Sequence, residues 1–223
     1  MNLCPRSRGR PTRATQVMSR EAIVHAAFAA FAQSGYDGVS LRQLATQCGV
    51  SDSLLHHYFG SKQHLWQQTA DHFVTPLMAD LMRNLEALAQ QSDAASALRQ
   101  NLPIALKRLV HDPVALTFIF REGEADNERS TYIRQTYMRP YLQRLDTLFE
   151  QAIAAGHFRA VSPAARHVLI SGFLRSLVIP GLLHDELSPH LQSPHHINAL
   201  IDEAVTILLH GFNLTPPTAG VTP

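Results

Sequence analysis

Apolar side chains recur every three to four residues along most of the chain, which is the period of an amphipathic α-helix. The repeat predicts helices over residues 19–35, 41–48, 52–59, 63–91, 94–110, 113–120, 130–155, 163–179 and 197–212. No segment shows the alternation of apolar and polar residues that a half-buried strand requires. The pattern therefore predicts an all-α fold, with a proline inside two helices: Pro76, which should kink the helix over 63–91, and Pro103, which should interrupt or divide the next one.

Two short helices within residues 41–59 have the spacing of a functional motif. Ser40 and Ser51 precede them as N-caps, and Gly49 suits the left-handed residue that ends the first. A helix, a glycine-containing turn and a second helix form a helix-turn-helix, whose second helix enters the DNA major groove. The alternative is a helical hairpin that only packs.

The same stretch resembles the N-terminal domain of the tetracycline-repressor (TetR) family of transcription regulators, over about residues 17–70. The resemblance is carried by Gly35-Tyr36, Val39-Ser40-Leu41, Leu44-Ala45, Gly49-Val50-Ser51 and Tyr58-Phe59-x-Ser61-Lys62. It implies a three-helix, helix-turn-helix DNA-binding domain, then a larger helical domain for ligand binding and dimerisation. It also implies a homodimer, a pseudo-palindromic DNA operator and a small-molecule effector.

Candidate DNA contacts follow from this resemblance. It implies that the second helix is the recognition helix and that Lys62 contacts phosphate. The predicted set is Arg42, Ser51, Ser53, Leu54, His56, His57, Tyr58 and Lys62, together with Arg8 and Arg10 of the N-terminal arm. Asp52 departs from the family pattern, in which a basic or neutral residue is more usual at this position. It would repel phosphate unless it accepts a hydrogen bond from a cytosine amino group. His56 also departs from it, since it replaces a frequent aromatic residue.

Charge is divided unevenly along the chain. Residues 1–70 carry seven Lys/Arg against three acidic residues, so the remainder is net acidic in a chain of net charge +1. The segment Arg8-Gly9-Arg10-Pro11 resembles an AT-hook, in which arginine is attracted to the narrow minor groove of A·T-rich DNA. The alternative is a solvated basic tail that only raises non-specific affinity.

These observations predict four regions. Residues 1–18 form a flexible basic arm, 19–66 the DNA-binding domain, 67–213 the regulatory and dimerisation domain, and 214–223 a C-terminal tail. The helix over 63–91 connects the two domains. Its Pro76 either helps to transmit motion or only bends the helix around a core.

The last two predicted helices are apolar on more than one face, so each must be covered on two sides. One side is the core of the protomer, and the other is assigned to a partner subunit in an intermolecular four-helix bundle. The predicted dimer contacts are Leu169, Phe173, Leu177, Leu200, Val205 and Leu208.

A ligand pocket implied by the resemblance should be mostly apolar, with a few placed polar groups. Its candidate residues are Phe73, Leu77, Met78, Phe118, Arg121, Glu122, Tyr137, Tyr141 and Phe173, although each is also explained as plain core. Arg121 follows an apolar run, so burial would require a partner, either Glu122 or an anionic ligand group. The expected effector is apolar or aromatic, with room for one carboxylate. The polar stretch over residues 121–128 is interpreted as a solvated turn.

The sequence gives little support to a catalytic function, and one histidine cluster raises the question of a metal site. The chain has no glycine-rich phosphate loop and no GxSxG, HExxH or CxxC motif, so no enzyme activity and no cofactor are predicted. His184, His190, His195 and His196 lie near Asp185 and Glu186, where they either bind zinc or simply face solvent. Two cysteines and the lack of a long apolar run predict a cytoplasmic protein without a membrane span.

The sequence therefore predicts a dimeric, ligand-responsive transcription regulator, acting as a repressor that a small molecule releases from its operator. Two other classes remain open: an architectural DNA-binding protein without a ligand, and a helical metal protein or enzyme.

Overall fold

The computed structural model describes residues 18–123, 126–178, 185, 188–189 and 192–212. These residues are helical and contain no β-strand. The helices are α1 Arg20–Gly38, α2 Leu41–Gln47, α3 Asp52–Phe59, α4 Lys62–Gln91, α5 Ala94–Val110, α6 Pro113–Gly123, α7 Glu128–Tyr132, a π-helical segment Ile133–Met138, α8 Arg139–Ala154, α9 Pro163–Val178 and α10 Pro194–Phe212.

The helix starts are fixed by side-chain caps, because the first amides of a helix lack partners within it. The hydroxyls of Ser19, Ser40 and Ser51 accept hydrogen bonds from the amides of the first turns of α1, α2 and α3, which confirms the predicted caps Ser40 and Ser51. Gly49 has φ +64°, as predicted for the residue after α2, and Gly35 interrupts α1 with φ +69°.

The prolines within α4 and α5 do not divide these helices. α5 is continuous through Pro103, so the prediction of a break is wrong. A proline inside a helix costs about 3 kcal/mol, but α5 has buried residues on both sides of Pro103, including Leu98, Leu102 and Leu106. Their burial stabilises the continuous helix. α4 also runs through Pro76 from Lys62 to Gln91.

Two other predicted boundaries are corrected. The stretch over 121–128 is not simply a solvated turn, because α6 continues to Gly123 and Glu122 is buried. The single helix predicted over 130–155 contains a π-helical segment, in which the amide of Arg139 bonds to the carbonyl of Arg134. Pro140 follows directly and lacks the N–H that a regular α-helix would need there.

The core is continuous from the N-terminal helices to the C-terminal ones. α1 packs against α4 and α6, and α5 lies against α4, α8 and α10. Stacked aromatic rings join the two halves: Phe28 of α1 stacks on Phe73 of α4 at 4.0 Å, and Trp66 of α4 lies 5.8 Å from Phe118 of α6. α1, which precedes the helix-turn-helix, thus packs directly against α4 and α6.

Several predictions concern residues outside those that the structure describes. They include the basic arm with Arg8 and Arg10, the whole C-terminal tail over 214–223, and the candidate metal ligands His184, Glu186 and His190. His195 and His196, at the start of α10, are exposed. No helix in the described part of the chain combines the length and the apolar character that crossing a membrane requires.

Candidate DNA-binding surface and regulatory cavity

α3 is anchored by its inward residues and presents a polar face. Leu55 and Phe59 are buried, whereas Asp52, Ser53, His56 and His57 are exposed. Adjacent predicted contacts Leu54 and Tyr58 are half-buried. This arrangement leaves four polar side chains available for base edges and phosphates, as a recognition helix requires.

Side-chain hydrogen bonds hold both ends of α3. The Ser51 hydroxyl accepts a hydrogen bond from the Leu54 amide at 3.1 Å, which leaves its own O–H free to donate. His56 Nδ1 lies 3.1 Å from the Gly60 carbonyl oxygen and acts as the donor, while His56 Nε2 is 4.0 Å from an Asp52 carboxylate oxygen. A protonated His56 would therefore offset part of the negative charge that Asp52 brings to this face.

Lys62 begins α4, directly after the exposed end of α3. Its Nζ lies 4.4 Å from the centre of the Tyr36 ring, in a cation–π contact. Desolvation at this half-buried position lowers the pKa of Lys62 and raises that of Tyr36. Lys62 is thus held by packing against Tyr36, beside the exposed face of α3. Arg42, on α2, is exposed.

Tyr36, at the end of α1, also contacts α6 and α7 of the regulatory half. Its backbone N–H donates to Glu122 Oε1 of α6 at 2.9 Å, and Arg129 of α7 lies over its ring at 3.7 Å. Arg129 Nε in turn donates to Glu122 Oε2 at 3.3 Å. The Glu122 side chain is only 5% exposed, so this network is shielded from water. Screening by salt should therefore be weak.

A cavity of about 230 Å³ lies between α4, α5, α6, α8 and α9. Its walls are almost entirely apolar, and they come from the following residues: Met78, Leu81, Leu102, Ala105, Leu106, Leu109, Leu116, Ile119, Phe120, Met138, Tyr141, Leu142, Leu145, Phe149, Ile170 and Leu174. A dry apolar cavity of about 150 Å³ holds one benzene molecule. This cavity is therefore large enough for a somewhat bigger apolar molecule, such as a bicyclic one.

Polar groups line one end of this cavity, where Arg166 is the most buried. Arg166 is 1% exposed, and its Nη2 donates to Asp146 at 2.9 Å and to Glu150 at 3.2 Å. Its Nη1 donates to the Val161 carbonyl at 2.7 Å. The remaining donor, Nε, has no hydrogen-bond partner among the described residues. His167 Nε2 lies 3.2 Å from Asp146 at the same end.

Of the predicted ligand contacts, Met78 and Tyr141 line the cavity. The other seven predicted contacts do not line this cavity: Phe73, Leu77, Phe118, Arg121, Glu122, Tyr137 and Phe173. Arg121 is exposed, because it lies on the outer face of α6, opposite the buried stripe. Tyr137 donates to Asp71 at 2.6 Å, and burial strongly raises its pKa.

The remaining corrections have equally simple causes. Phe73 and Phe118 are used in the aromatic contacts that join α1, α4 and α6. Leu77 is buried in the core away from the cavity wall. Glu122 faces Tyr36, and Phe173 lies in a surface groove between α9 and α10. Sequence reasoning missed Arg166, because nothing in the local pattern separates it from an exposed arginine on α9.

That surface groove combines partly buried apolar residues with exposed ones. Leu169 and Ile207, which line it, are 52% and 67% exposed, and Val168, beside Leu169 on α9 but outside the lining, is 69% exposed. The groove is lined by Leu106, Leu169, Ile170, Phe173, Ala204, Val205, Ile207 and Leu208.

The predicted dimer contacts divide on burial. Leu169 is exposed, and Phe173, Leu200 and Leu208 are half-buried. Leu177 and Val205 are 5% and 4% exposed and packed inside the protomer, although Val205 also lines the groove. Val168 and Ile207 are the exposed apolar residues that the prediction omitted.

Comparison with known proteins points in one direction. Residues 23–69 match the model of the bacterial regulatory proteins, tetR family. The HTH-type transcriptional regulator BetI of Rhizobium meliloti (strain 1021) is 35% identical over 79 residues, which are 35% of this chain and 39% of that protein. The probable HTH-type transcriptional regulator YttP of Bacillus subtilis (strain 168) is 28% identical over 144 residues, or 63% of this chain and 66% of that protein.

Solved structures extend the similarity of fold to nearly the whole chain. HlyIIR, a hemolysin II transcriptional regulator, superposes with a TM-score of 0.62 at 19% identity, covering 88% of this chain and 100% of that one. The ketosteroid transcriptional regulator KstR2 of Mycobacterium tuberculosis gives 0.61 at 18% identity, covering 91% and 99%. The sequence matches to BetI span well under half of its length. The helix-turn-helix and the family model over residues 23–69 together show that this chain carries the DNA-binding domain of the tetR family of bacterial regulatory proteins.

Proposed function

We propose that this chain is a homodimeric transcriptional repressor, which leaves a pseudo-palindromic DNA operator when a small apolar molecule occupies the cavity. α3 reads the major groove with Ser53, His56 and His57, and Lys62 contacts phosphate. The N-terminal Arg8 and Arg10 add sequence-independent or minor-groove affinity. The two-fold symmetry of the dimer is matched by the symmetry of its operator.

The observation that carries this proposal is the double role of α6. Leu116, Ile119 and Phe120 of α6 line the cavity, and Glu122, in its last turn, accepts the hydrogen bond from the Tyr36 amide. One helix therefore touches both the cavity and the segment at the end of α1 that leads into the helix-turn-helix. A ligand that moves α6 must strain or break this contact, so the two sites share one mechanical element.

The cavity also narrows the class of effector. Arg166 already pairs with two carboxylates, those of Asp146, which lines the cavity, and of Glu150, which lies outside it. An anionic ligand would be repelled there. A neutral molecule with one acceptor oxygen, such as a ketone or an ester, suits the unpaired Arg166 Nε. The expected ligand is therefore apolar, about the size of a bicyclic hydrocarbon, with one carbonyl-type oxygen.

The groove between α9 and α10 supports the dimer. Exposed apolar patches of this kind mark interaction surfaces when they are contiguous. The exposed Leu169 and Ile207 line this groove together with the more buried Leu106 and Phe173. Pairing α9 and α10 with their copies in a second protomer would cover these side chains in a four-helix arrangement.

The decisive experiment measures the coupling between DNA and ligand. Neutral bicyclic compounds are screened by thermal shift, and each hit is titrated against the protein with and without DNA from upstream of its own gene. A ligand shifts an equilibrium only through its different affinities for the two states, and the coupling is reciprocal. We expect the DNA to weaken ligand binding by the same factor by which the ligand weakens DNA binding, about 5- to 150-fold.

Each rival class predicts a different outcome of the same experiment. An architectural protein would bind DNA with an affinity that no hit changes. A metal protein or enzyme with an incidental helix-turn-helix would not bind the upstream DNA in preference to random DNA. Equal ligand affinity in the presence and absence of DNA would remove the sensor role while leaving DNA binding in place.

A further inference from the structure

Two histidines and a glutamate meet on the side of the molecule where α1 crosses α4. Glu21 and His25 are four residues apart on α1, so they lie on the same face of that helix. His72 reaches the same place from α4. One ligand atom from each of the three side chains lies within 4.8 Å of the others, and all three residues are exposed. No other such trio occurs within the described ranges.

From this geometry we infer a binding site for a divalent transition-metal ion of the zinc type, held by Glu21, His25 and His72. Two imidazoles and one carboxylate are a ligand set that zinc uses in proteins, with a water molecule in the fourth position. Tetrahedral ligands at about 2.1 Å from zinc lie roughly 3.4 Å apart. The three side chains need to close by little more than about 1 Å, which exposed side chains achieve by small torsional changes.

The neighbouring residues prepare this geometry. Phe73, next to His72, makes edge contacts with both imidazoles, at 4.7 Å to His25 and 4.8 Å to His72. It is itself stacked on Phe28 at 4.0 Å, so both rings are held against a fixed surface. Within the described part of the chain, neither imidazole nor the Glu21 carboxylate has a hydrogen-bond partner, so all three keep lone pairs available for a metal.

The site has a consequence for the fold because its ligands come from two helices. α1 belongs to the helix-turn-helix end, and α4 connects it to the rest of the chain. Arg20 of α1 already donates to Gln68 of α4, one turn away from the proposed site. A metal ion would add a second and stronger link between the same helices. Zinc should therefore raise the melting temperature, since a ligand that binds only the folded state stabilises it.

The test measures zinc binding by the full chain, by competition with a coloured chelator, and uses Co²⁺ to report ligand geometry through its visible spectrum. We expect one zinc ion per chain at this site, a zinc-dependent rise in melting temperature and a tetrahedral cobalt spectrum. His25→Gln and His72→Gln should each lower zinc affinity at least tenfold and remove the thermal shift. Glu21→Gln should weaken binding while keeping part of it. All three positions are exposed, so the apo variants should melt close to the wild type.

The matched control is the double variant His195→Gln, His196→Gln, which removes two exposed histidines far along the chain. Their rings lie 5.9 Å apart at the start of α10, and they were candidates for a different zinc site. This control should bind zinc as the wild type does. The inference is overturned if the wild type binds no zinc, if His25→Gln and His72→Gln bind it normally, or if only the control loses it.

Discussion

The carboxylate oxygen Oε1 of Glu122 lies 2.9 Å from the backbone nitrogen of Tyr36. This hydrogen bond joins the last turn of α6 to the segment between Gly35 and α2. Glu122 is 4% exposed, and its second oxygen is paired with Arg129. A buried acceptor with a charged partner on one side and a backbone donor on the other fixes the angle at which the helix-turn-helix leaves α1.

The first prediction is that Glu122→Ala destabilises the protein and loosens this joint. Loss of the carboxylate leaves the Tyr36 amide and the Arg129 guanidinium without their acceptor, and an unsatisfied buried group costs about 1–3 kcal/mol. Chemical denaturation should show this loss. Hydrogen exchange should also be faster at the Tyr36 amide.

The control for this experiment is Asp126→Ala, which removes an exposed carboxylate from the adjacent bend. Exposed substitutions usually change stability by no more than about 0.5 kcal/mol. Glu122→Ala with wild-type stability and unchanged exchange at Tyr36 would mean that the hydrogen bond has no structural role.

The same residue shows where sequence reasoning succeeded and where it failed. The buried residues of α6 are Ala115, Leu116, Phe118, Ile119 and Glu122, a regular helical stripe. Continuing the period of the apolar residues by one turn reaches Glu122 and leaves Arg121 on the outside. The interpretation of residues 121–128 as a turn missed this continuation. It led to Arg121, rather than Glu122, being considered as the buried residue.

Local features were predictable for a clear physical reason. Caps, the glycine turn and the bounds of α2 and α3 depend on interactions between residues close in sequence. The cavity is different, because five helices form it and the burial of Arg166 depends on carboxylates of α8. No periodicity in α9 alone distinguishes Arg166 from the exposed Arg175. The burial of Leu177 and Val205 within the protomer could not be predicted for the same reason, since a helix that is apolar all round does not reveal which face turns inward.

A second prediction concerns Lys62 and DNA. Lys62→Ala should weaken binding to every DNA sequence by a similar factor, because it removes a phosphate contact rather than a base contact. The slope of log affinity against log salt should fall by about one for each protomer on the DNA. Fluorescence anisotropy at several salt concentrations measures both effects.

Lys107→Ala provides the comparison for this charge loss. Lys107 of α5 is paired with Asp202 of α10 at 2.6 Å, outside the proposed DNA-binding surface. Lys107→Ala should therefore leave the affinity for DNA and the salt slope unchanged. Replacement of Ser53 or His57 should instead change which sequences are preferred. If Lys62→Ala left the salt slope at its original value, the assigned docking of α3 and α4 would be wrong.

A third prediction uses the ion pair between Glu86 and Arg144. Arg144 donates to both carboxylate oxygens, at 2.7 and 2.9 Å, and these hydrogen bonds lower the pKa of Glu86 below its ordinary 4.5. Because the pKa is lower in the folded state, the ionised carboxylate contributes stability that is fully present above the unfolded pKa. This contribution is lost as the pH falls through the folded pKa. The Glu86 side chain is 39% exposed, so the contribution is under about 1 kcal/mol.

Glu86→Gln should therefore be less stable than the wild type at pH 7, and the two should converge well below pH 4.5. Urea denaturation across this pH range measures the difference. Glu203→Gln, on the exposed face of α10, should not differ from the wild type at pH 7. A gap between Glu86→Gln and wild type that stays constant from neutral to acidic pH would contradict the ion-pair explanation.

A fourth prediction separates the protomer from the dimer. Leu169→Glu and Ile207→Glu place charges where the side chains are 52% and 67% exposed, so neither should unfold the protomer. Both should split a dimer that buries them, because an unpaired buried charge is costly. Sedimentation velocity at micromolar concentration measures the change in mass, and circular dichroism checks the fold.

The comparison is Val114→Glu, which adds the same charge to an exposed apolar residue of α6, 41% accessible and outside the groove. Its mass should equal that of the wild type. A wild-type protein that sediments as a monomer, or a Leu169→Glu dimer of normal affinity, would exclude the α9 and α10 interface.

The last prediction concerns the polar end of the cavity. Arg166 donates to Val161, Asp146 and Glu150 through its two terminal nitrogens, and its Nε has no partner among the described residues. A carbonyl oxygen inside the cavity would satisfy that donor. We therefore expect 1-tetralone to bind more tightly than tetralin, its parent hydrocarbon. The advantage should be about tenfold, which corresponds to about 1.4 kcal/mol, close to the lower limit of about 1.5 kcal/mol for hydrogen bonds to charged groups.

Arg166→Met keeps an apolar stem of similar length but removes the donor, so the preference for the ketone should disappear while tetralin still binds. The variant should also lose stability, because Asp146 and Glu150 lose their cation, and this must be measured without ligand. Ala105→Leu is the complementary variant: Ala105 lines the cavity and is buried, so a larger side chain should weaken both compounds equally. Retention of the ketone preference in Arg166→Met would show that Arg166 does not select the ligand. If Ala105→Leu affected neither compound, they would bind outside this cavity.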